Sequence, residues 1–291
     1  MRKKIALILI GVLIALMITL FIHSVIVNGG VTSTAALRLT LSLAITISSI
    51  VKIVTGTGGM SLARRTVEKQ YADIIGKAFA EPDRKRLRKK LTEAIYIFST
   101  NSKGALLRFE KLQKKCATAD DYSTVLTFIG LTNTNIGNID MAIAAYREAD
   151  KYAQQTERHK LRSTILSNLG LIYANKGENG KAMSCYDQAI ECDKQNAYAY
   201  GNSASLYFRS GDYGNAIPRC EKALEIKSNE YHFAATLCLC YCALQKRQEA
   251  EKYYNIAVNN GQNADQLKNA MERYKNIDIT LPDVPQSPAE S

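Results

Sequence analysis

The fold is decided by the stretch SNLGLIYANKGENGKAMSCYDQAIECD, residues 167–193, because nearly the same pattern returns as GNSASLYFRSGDYGNAIPRCEKALEIK at residues 201–227. The two copies lie 34 residues apart, and Gly177 in the first copy matches Gly211 in the second. Apolar residues in each copy recur every three or four positions, which predicts helices, and each glycine predicts the turn between two helices. The chain is therefore expected to repeat a two-helix unit.

Further copies extend the pattern in both directions. Blocks of 34 residues at 163–196 and 197–230 are followed by a third block at 231–264. A looser copy covers residues 123–156, and a six-residue insert, 157–162, separates it from the next block. Each block has room for two helices of about a dozen residues. The sequence thus predicts an all-α chain built from consecutive helix pairs.

Small and large apolar residues are distributed so that the two helices of a block can pack closely. In the block at 163–196, the large residues of the first helix recur at i, i+3 and i+7: Leu166, Leu169 and Tyr173. The second helix has alanines on either side of a tyrosine: Ala182, Tyr186 and Ala189. Alanines let two backbones approach, and the tyrosine fills the remaining space. One pair alone cannot bury its apolar face, so the pairs are expected to stack into an α-solenoid.

This pattern resembles the tetratricopeptide repeat family, in which a large residue, Leu-Gly and Tyr mark the first helix, and Ala, an aromatic residue and Ala mark the second. The matching residues in one block are Leu166, Leu169, Gly170, Tyr173, Ala182, Tyr186 and Ala189. A degenerate copy at 86–119 keeps Tyr96, Ala105 and Phe109, and residues 265–275 have the polar pattern of a capping helix. The repeat solenoid is therefore expected over residues 86–275, with a disordered tail at 276–291.

The N-terminus has the pattern of a membrane anchor. Residues 5–27 contain no charged side chain over 23 residues, which is enough for a helix that crosses a hydrocarbon core of about 30 Å. A second apolar stretch at residues 35–55 is weaker, because polar and apolar residues alternate in it as in a strand. A lone strand would leave its backbone unsatisfied in lipid, so a second helix is favoured. Residues 1–60 are predicted to form a transmembrane helical hairpin.

Positive charge is concentrated directly after these segments. Residues 64–115 carry 15 Lys/Arg against 6 Asp/Glu, whereas residues 116–291 carry 18 against 21. Basic residues that flank a membrane span indicate the cytoplasmic side, so the protein is expected in the cell membrane with its repeats in the cytoplasm. Charge that follows an apolar segment argues for lipid rather than nucleic acid as its partner.

Residues 61–91 are predicted to form a basic juxtamembrane helix, broken near Pro82 and lying along the inner leaflet. The residues expected to contact the headgroups of anionic lipids are Arg64, Arg65, Lys69, Arg84, Lys85, Arg86 and Arg88. The alternative is a solvated connector whose charge only sets the membrane orientation.

The sequence has no pattern that indicates a catalytic site, a cofactor or a bound metal. Its seven cysteines form no CxxC pair, and the run CLCYC at residues 238–242 spaces its thiols at i, i+2 and i+4, which does not bring them onto one helix face. The three histidines, His23, His159 and His232, form no cluster. An odd number of cysteines suits a reducing compartment. The chain is therefore expected not to be an enzyme.

The resemblance implies a concave groove, formed mainly by the first helix of each repeat, that holds a protein or peptide partner. Helical spacing places these residues on or near it: Thr127, Asn135, Ser167, Asn168, Asn175, Tyr198, Asn202, Ser205 and Arg209. Asn168 and Asn202 occupy the same repeat position, and a side-chain amide can both donate to and accept from a peptide backbone. The alternative is that these two amides only link adjacent helices. The Lys and Asn pair of the family's carboxylate clamp is missing at the corresponding turns, which argues against chaperone C-termini as ligands.

Anchor, orientation and repeats together predict a membrane-anchored scaffold that binds a protein or peptide partner on the cytoplasmic side. If residues 35–55 do not cross the membrane, the alternative is a single-span protein whose repeats face the exterior and act in envelope or complex assembly. The sequence leaves the partner and the oligomeric state open.

Overall fold

The computed structural model describes residues 66–274, whose regular structure consists of α-helices and two short 3-10 turns. The predicted membrane segments at 5–27 and 35–55 and the predicted tail at 276–291 lie outside these residues. Among the residues described, no helix combines the length and the apolar character needed to cross a bilayer.

The helices are numbered in chain order as α1 Ala72–Ile75, α2 Lys85–Phe98, α3 Ser102–Gln113, α4 Ala119–Ile136, α5 Ile139–Ala153, α6 His159–Asn175, α7 Asn179–Cys192, α8 Ala197–Arg209, α9 Tyr213–Ile226, α10 Tyr231–Ala243, α11 Arg247–Asn259 and α12 Ala264–Met271. Residues 66–70 are helical as well, and the 3-10 turns cover Pro82–Arg84 and Glu272–Tyr274.

The described residues form two compact units, 66–196 and 197–274. In the first unit, α4 packs on α5, α5 on α6 and α6 on α7, while α2 and α3 form a further pair in which α3 contacts α4. In the second unit, α8 packs on α9, α9 on α10 and α10 on α11, and α12 contacts α10. Each unit is a stack of helix pairs, so the predicted all-α repeat fold is confirmed. The first and second helices of the pairs α4–α5, α6–α7, α8–α9 and α10–α11 are called A and B helices below.

The turn between the A and B helices requires a left-handed backbone. Gly137, Gly177 and Gly211 adopt φ angles of 90°, 78° and 78° at these turns. Glycine reaches this region without a steric cost, which explains why the sequence pattern marks each turn with it. The last pair has Gln245 at φ 59° in the equivalent turn. This non-glycine residue makes the fourth turn the one strained exception among these four pairs.

Close packing of the A helix on the B helix depends on a glycine that faces a tyrosine. A Cβ atom on Gly130 would lie 2.7 Å from the ring of Tyr146, and one on Gly170 would lie 2.7 Å from the ring of Tyr186. Both tyrosines are 1% exposed, so their rings fill the space that the glycines leave. The third pair has fully buried Cys220 in place of the tyrosine.

Candidate partner-binding surface

The A helix α6 presents an uncharged polar face in the first unit. Asn168, Leu171 and Asn175 follow each other at i, i+3 and i+7, so they lie on one side of the helix. Leu171 is 42% exposed. Within residues 66–274, the amides of Asn168 and Asn175 have no hydrogen-bonding partner. This face therefore combines an exposed apolar side chain with two amides that can each donate and accept a hydrogen bond.

The A helix α8 carries a similar face in the second unit. Tyr198, Asn202, Ser205 and Arg209 recur every three or four residues along it. The Ser205 hydroxyl donates to the Gly201 carbonyl in its own helix at 3.0 Å. Asn202 is half-buried and Arg209 is exposed, and neither side chain has a hydrogen bond or an ion pair in the described part of the chain. Both remain available to a ligand.

Tyr198 is held in a fixed orientation although 47% of its surface is exposed. Its ring packs edge-on against Phe233, with ring centroids 6.1 Å apart. Its hydroxyl accepts a hydrogen bond from the Lys227 ammonium and donates to the Glu230 carboxylate at 3.3 Å, and Lys227 pairs with Glu230 at 2.9 Å. Burial alone would lower the pKa of Lys227, but the hydrogen bonds to Glu230 and Tyr198 outweigh it and raise the pKa. A rigid exposed aromatic ring loses little entropy when a partner covers it.

The equivalent positions of Asn168 and Asn202 answer one question that the sequence left open. The alternative for these amides was that they link adjacent helices, and in the described residues neither amide does so. A different asparagine has that linking role: Asn196 donates to Ser163 Oγ at 2.8 Å and to Ser167 Oγ at 2.9 Å. Half-buried amides without an internal partner are the clearest polar feature of the A helices.

Two residues predicted for the groove are buried, which corrects the predicted surface. Thr127 is fully buried and donates to the Ser123 carbonyl in its own helix at 2.6 Å. Ser167 is 7% exposed, and its hydroxyl is already occupied by Asn196. A partner cannot reach either hydroxyl while the helices remain packed.

Asn135 is exposed, but it is engaged within the first unit. Its amide donates to Ser102 Oγ at 2.7 Å, which links α4 to the start of α3. Of the nine predicted groove residues, the accessible ones without an internal hydrogen bond in the described chain are Asn168, Asn175, Asn202 and Arg209, with Tyr198 exposed and fixed. Partner binding by these residues stays a prediction.

The residues predicted to contact lipid divide into two groups. Arg84 forms an ion pair with Asp121 and donates to the Lys115 carbonyl at 2.5 Å. Arg88 donates to the carbonyls of Gly76 and Ala78 at 3.0 and 2.8 Å. Because these guanidinium groups satisfy buried or structural acceptors, the expectation that Arg84 and Arg88 face headgroups is corrected.

The other predicted lipid contacts are not engaged in this way. Lys69, Lys85 and Arg86 are exposed. Arg64 and Arg65 lie outside the described residues. Residues 66–91 of the basic segment are therefore a folded part of the first unit, and their exposed cations are only some of those that the sequence suggested.

Asp121, which no sequence pattern singles out, organises this N-terminal segment. Its carboxylate is 1% exposed and accepts hydrogen bonds from the backbone of Phe79 at 2.7 Å, Ala117 at 3.0 Å and Thr118 at 3.2 Å, in addition to the ion pair with Arg84. Burial alone would raise the pKa of Asp121, but these hydrogen bonds outweigh it and hold the pKa below its ordinary value. The buried carboxylate stays charged at neutral pH.

Arg158 also holds this N-terminal segment. This residue belongs to the insert at 157–162, and its guanidinium donates to Thr124 Oγ1 at 2.8 Å, to the Asp73 carbonyl at 2.9 Å and to the Ile74 carbonyl. Gly76 adopts a φ of 43°, which favours glycine, and a Cβ atom there would lie 2.4 Å from this guanidinium. The sequence signal for this contact is an arginine in an insert that interrupts a regular repeat. A residue outside the repeat register is not needed for packing between repeats, so it can contact another part of the chain.

No group of three or more His, Cys, Asp or Glu side chains within residues 66–274 is arranged to hold a metal ion. Burial raises the pKa of Cys185 to about 11 and that of Cys240 to about 12, so both are neutral thiols at physiological pH.

Comparisons with known proteins agree with this architecture. Family models described as tetratricopeptide repeat match residues 123–156, 163–196, 185–217 and 207–274, which together amount to half of the chain. The boundaries 123–156 and 163–196 coincide with two of the predicted blocks.

Curated relatives match only part of the chain. The TPR repeat-containing protein MJ1428 of Methanocaldococcus jannaschii is 28% identical over 128 residues, which cover 43% of this chain and 23% of that protein. The photosystem I assembly protein Ycf3 of Rippkaea orientalis is 31% identical over 104 residues, which cover 35% of this chain and 58% of that protein. The chain therefore spans about a quarter of the length of the first relative and rather more than half of the length of the second.

The fold is shared with a solved structure. The structure titled as a functional characterisation of Pseudomonas aeruginosa pilF superposes with a TM-score of 0.57 at 14% identity, covering 67% of this chain and 86% of that chain. A crystal structure of MamA gives a TM-score of 0.48 at 22% identity, covering 60% and 93%. At these identities the likeness concerns the fold alone.

Proposed function

Because the chain belongs to the tetratricopeptide repeat family over residues 123–156 and 163–274, we propose that it is a scaffold whose A helices hold a protein or peptide partner. The observation that carries this proposal is the pair of half-buried amides, Asn168 and Asn202, at the same repeat position and without an internal partner in the described chain. Amides of this kind can donate a hydrogen bond to a peptide backbone and also accept one from it. A partner that covered these amides without forming hydrogen bonds to them would pay a cost in free energy.

The neighbouring side chains favour a partner that is largely uncharged along the contact. Leu171 and Tyr198 supply exposed apolar surface, and Arg209 is the single charged residue among the accessible predicted contacts. Each of these two helix faces suits a peptide or helix with apolar anchors and a polar backbone contact. One relative is, by its name, an assembly protein. We therefore favour a role in bringing protein components together.

The proposed location is the cell membrane, with the repeats on the cytoplasmic side. Its support is the uncharged stretch at residues 5–27, the weaker stretch at 35–55 and the basic residues that flank both. The second candidate is a single-span protein whose repeats face the exterior, favoured by the strand-like alternation within residues 35–55.

Site-specific photocrosslinking of the full-length protein in its own cells tests the binding surface. A photoreactive amino acid replaces Asn168 or Asn202 in the A helices, and the matched control replaces the exposed Glu191 in the B helix α7. Crosslinks to the same partner from positions 168 and 202, and not from 191, are expected. Equal crosslinking from all three positions would refute the A-helix surface as the binding site.

A paired reporter fused after Ser291 tests the orientation. One reporter is an enzyme that is active only outside the cytoplasm, and the other is a protein that fluoresces only inside it. Fluorescence alone is expected for two membrane spans. Enzyme activity alone would replace the cytoplasmic proposal with the single-span alternative.

A further inference from the structure

A cleft between α2 and α3 has an excess of positive charge. Its volume is about 660 Å³, within the range of small-ligand sites. Five basic side chains line it: Lys90, Arg108, Lys111, Lys114 and Lys115. Glu93 is the one acidic residue among its lining residues. The cleft therefore offers a net charge of +4 to whatever enters it.

The cations of this cleft have no internal partner in the part of the chain that the structure describes. None of the five side chains forms an ion pair or a hydrogen bond there. Leu87 and the buried Leu112 form an apolar floor between them. Cations held together without counter-charges repel one another, and this repulsion costs stability unless an anion binds.

Two other clefts of the described chain lack such an imbalance of charge. The cleft between α9 and α11 contains Glu221, Lys222, Glu225 and Lys252, so its charges cancel. In the cleft of about 340 Å³ beside α5, α6 and α7, Lys176 and Lys181 pair with acidic side chains. The basic cleft lies in the degenerate helix pair α2–α3, which the family models do not match.

We propose that the basic cleft binds the phosphate of an anionic membrane-lipid headgroup. The inference rests on the proposed membrane anchoring, because ten residues, 56–65, separate the second predicted span from the first described residue and can extend over at most about 35 Å. This distance keeps the first unit within reach of the bilayer surface. The cations involved differ from those that the sequence suggested, since Arg84 and Arg88 are engaged inside the fold.

The cleft gives the phosphate more than a diffuse surface attraction. Arg108 and Lys111 lie three residues apart on α3, so they share one face of this helix, and Lys114 and Lys115 follow in the turn after it. Lys90 and Glu93 lie on the facing helix α2. Several cations converging on one cleft can share the oxygens of a single phosphate, and the apolar floor suits the glycerol and upper acyl region of a lipid.

The test is native mass spectrometry of the full-length protein in a non-ionic detergent, titrated with phosphatidylglycerol or with phosphatidylcholine. The cleft variant is Lys111→Gln with Lys114→Gln. The matched control, Lys160→Gln with Lys194→Gln, removes the same charge from exposed lysines elsewhere in the first unit. Circular dichroism establishes that each variant is as helical as the wild type.

Phosphatidylglycerol is expected to be retained in preference to phosphatidylcholine. At about fivefold per lysine, the cleft variant should bind it about 25-fold more weakly, and the control should bind as the wild type does. Glu93→Gln removes the acidic residue of the cleft and should tighten binding about fivefold, which a general loss of folding could not produce.

Three results would overturn the proposal. The first is equal retention of the two lipids, and the second is an equal loss in the cleft and control variants. The third is protection of the wild type against thermal unfolding by inorganic phosphate, but not by phosphatidylglycerol, which would identify a free-phosphate site. Anchoring is tested separately, because the cleft variant should remain in the membrane fraction of cells if residues 5–27 anchor it. Loss of the wild type from that fraction would refute the anchor and not the cleft.

Discussion

Replacing Asp121 by Asn tests whether one buried carboxylate holds the N-terminal segment on the first repeat. Asp121 Oδ1 accepts from the Phe79 backbone at 2.7 Å, while Oδ2 accepts from Ala117 at 3.0 Å, from Thr118 at 3.2 Å and from Arg84. In asparagine an NH₂ group, which is a donor, replaces one of these two oxygens. In either orientation of the amide, this NH₂ group therefore faces at least one N–H donor that the carboxylate oxygen had accepted from. The substitution also leaves the exposed Glu81, 3.6 Å away, as the one charged partner of the Arg84 guanidinium in the described chain.

The expected cost is large because the group is buried. Breaking a buried ion pair by removing one partner costs about 3–5 kcal/mol, and the neutral amide keeps part of the hydrogen bonding, so about 3 kcal/mol is expected. Asp120→Asn is the matched control. Its carboxylate lies next in the sequence, is 25% exposed and has one ion pair, to Arg158 at 3.3 Å, so its loss should cost about 1 kcal/mol or less.

Urea denaturation of the full-length protein, followed by circular dichroism, measures the free energies of unfolding. Hydrogen exchange with mass spectrometry shows where stability is lost, and residues 72–84 should lose protection first in the Asp121 variant. If Asp121→Asn and Asp120→Asn cost the same, or if protection of residues 72–84 is unchanged, then the carboxylate does not hold the segment.

Three further predictions follow from the packed contacts. The pKa of Asp121 is lower in the folded protein than in the unfolded chain, so its contribution to the free energy of unfolding is present above the unfolded pKa of about 3.9 and is lost as the pH falls through the folded pKa. Below about pH 4, the free energies of unfolding that urea titrations give for the wild type and Asp121→Asn should therefore converge. Gly170→Ala places a Cβ atom 2.7 Å from the Tyr186 ring and should lower the free energy of unfolding by about 1–3 kcal/mol. The control Gly180→Ala has nothing within 4 Å of its new Cβ atom, so it should leave that free energy unchanged or raise it by up to about 1 kcal/mol. Equal Tm values for the two variants would contradict this packing. Arg158→Lys keeps the charge but loses the guanidinium fork, so hydrogen exchange should accelerate in residues 72–76 and remain unchanged in α8–α11; unaltered exchange in residues 72–76 would show that the fork is dispensable.

The candidate surface was only partly predictable from the sequence. Helical spacing placed Asn168 and Asn202 on accessible A-helix faces, because both the repeat period and the helix period are local properties of the chain. The same spacing also selected Thr127, which is buried. Spacing defines the side of a helix, but the elements packed against that side decide whether a solvent molecule or a partner can reach it.

The sequence by itself determined the repeated helix pair, its turns and the contact of its A and B helices. These features depend on residues within one block of 34, such as Gly170 against Tyr186 and the left-handed Gly177. Interactions over such short separations leave a periodic signal that composition and spacing can detect.

Only the tertiary structure decided how the N-terminal segment packs and which cations remain unpaired. The contacts responsible join residues that are 10 to 85 positions apart, from Arg88 with the Ala78 carbonyl to Arg158 with the Asp73 carbonyl. They lie outside the repeat register, so no periodicity records them. A run of lysines and arginines has the same charge wherever it folds. Acceptors within the fold bind the guanidinium groups of Arg84 and Arg88, so the unpaired cations of the basic cleft are those of α2, α3 and the turn after α3.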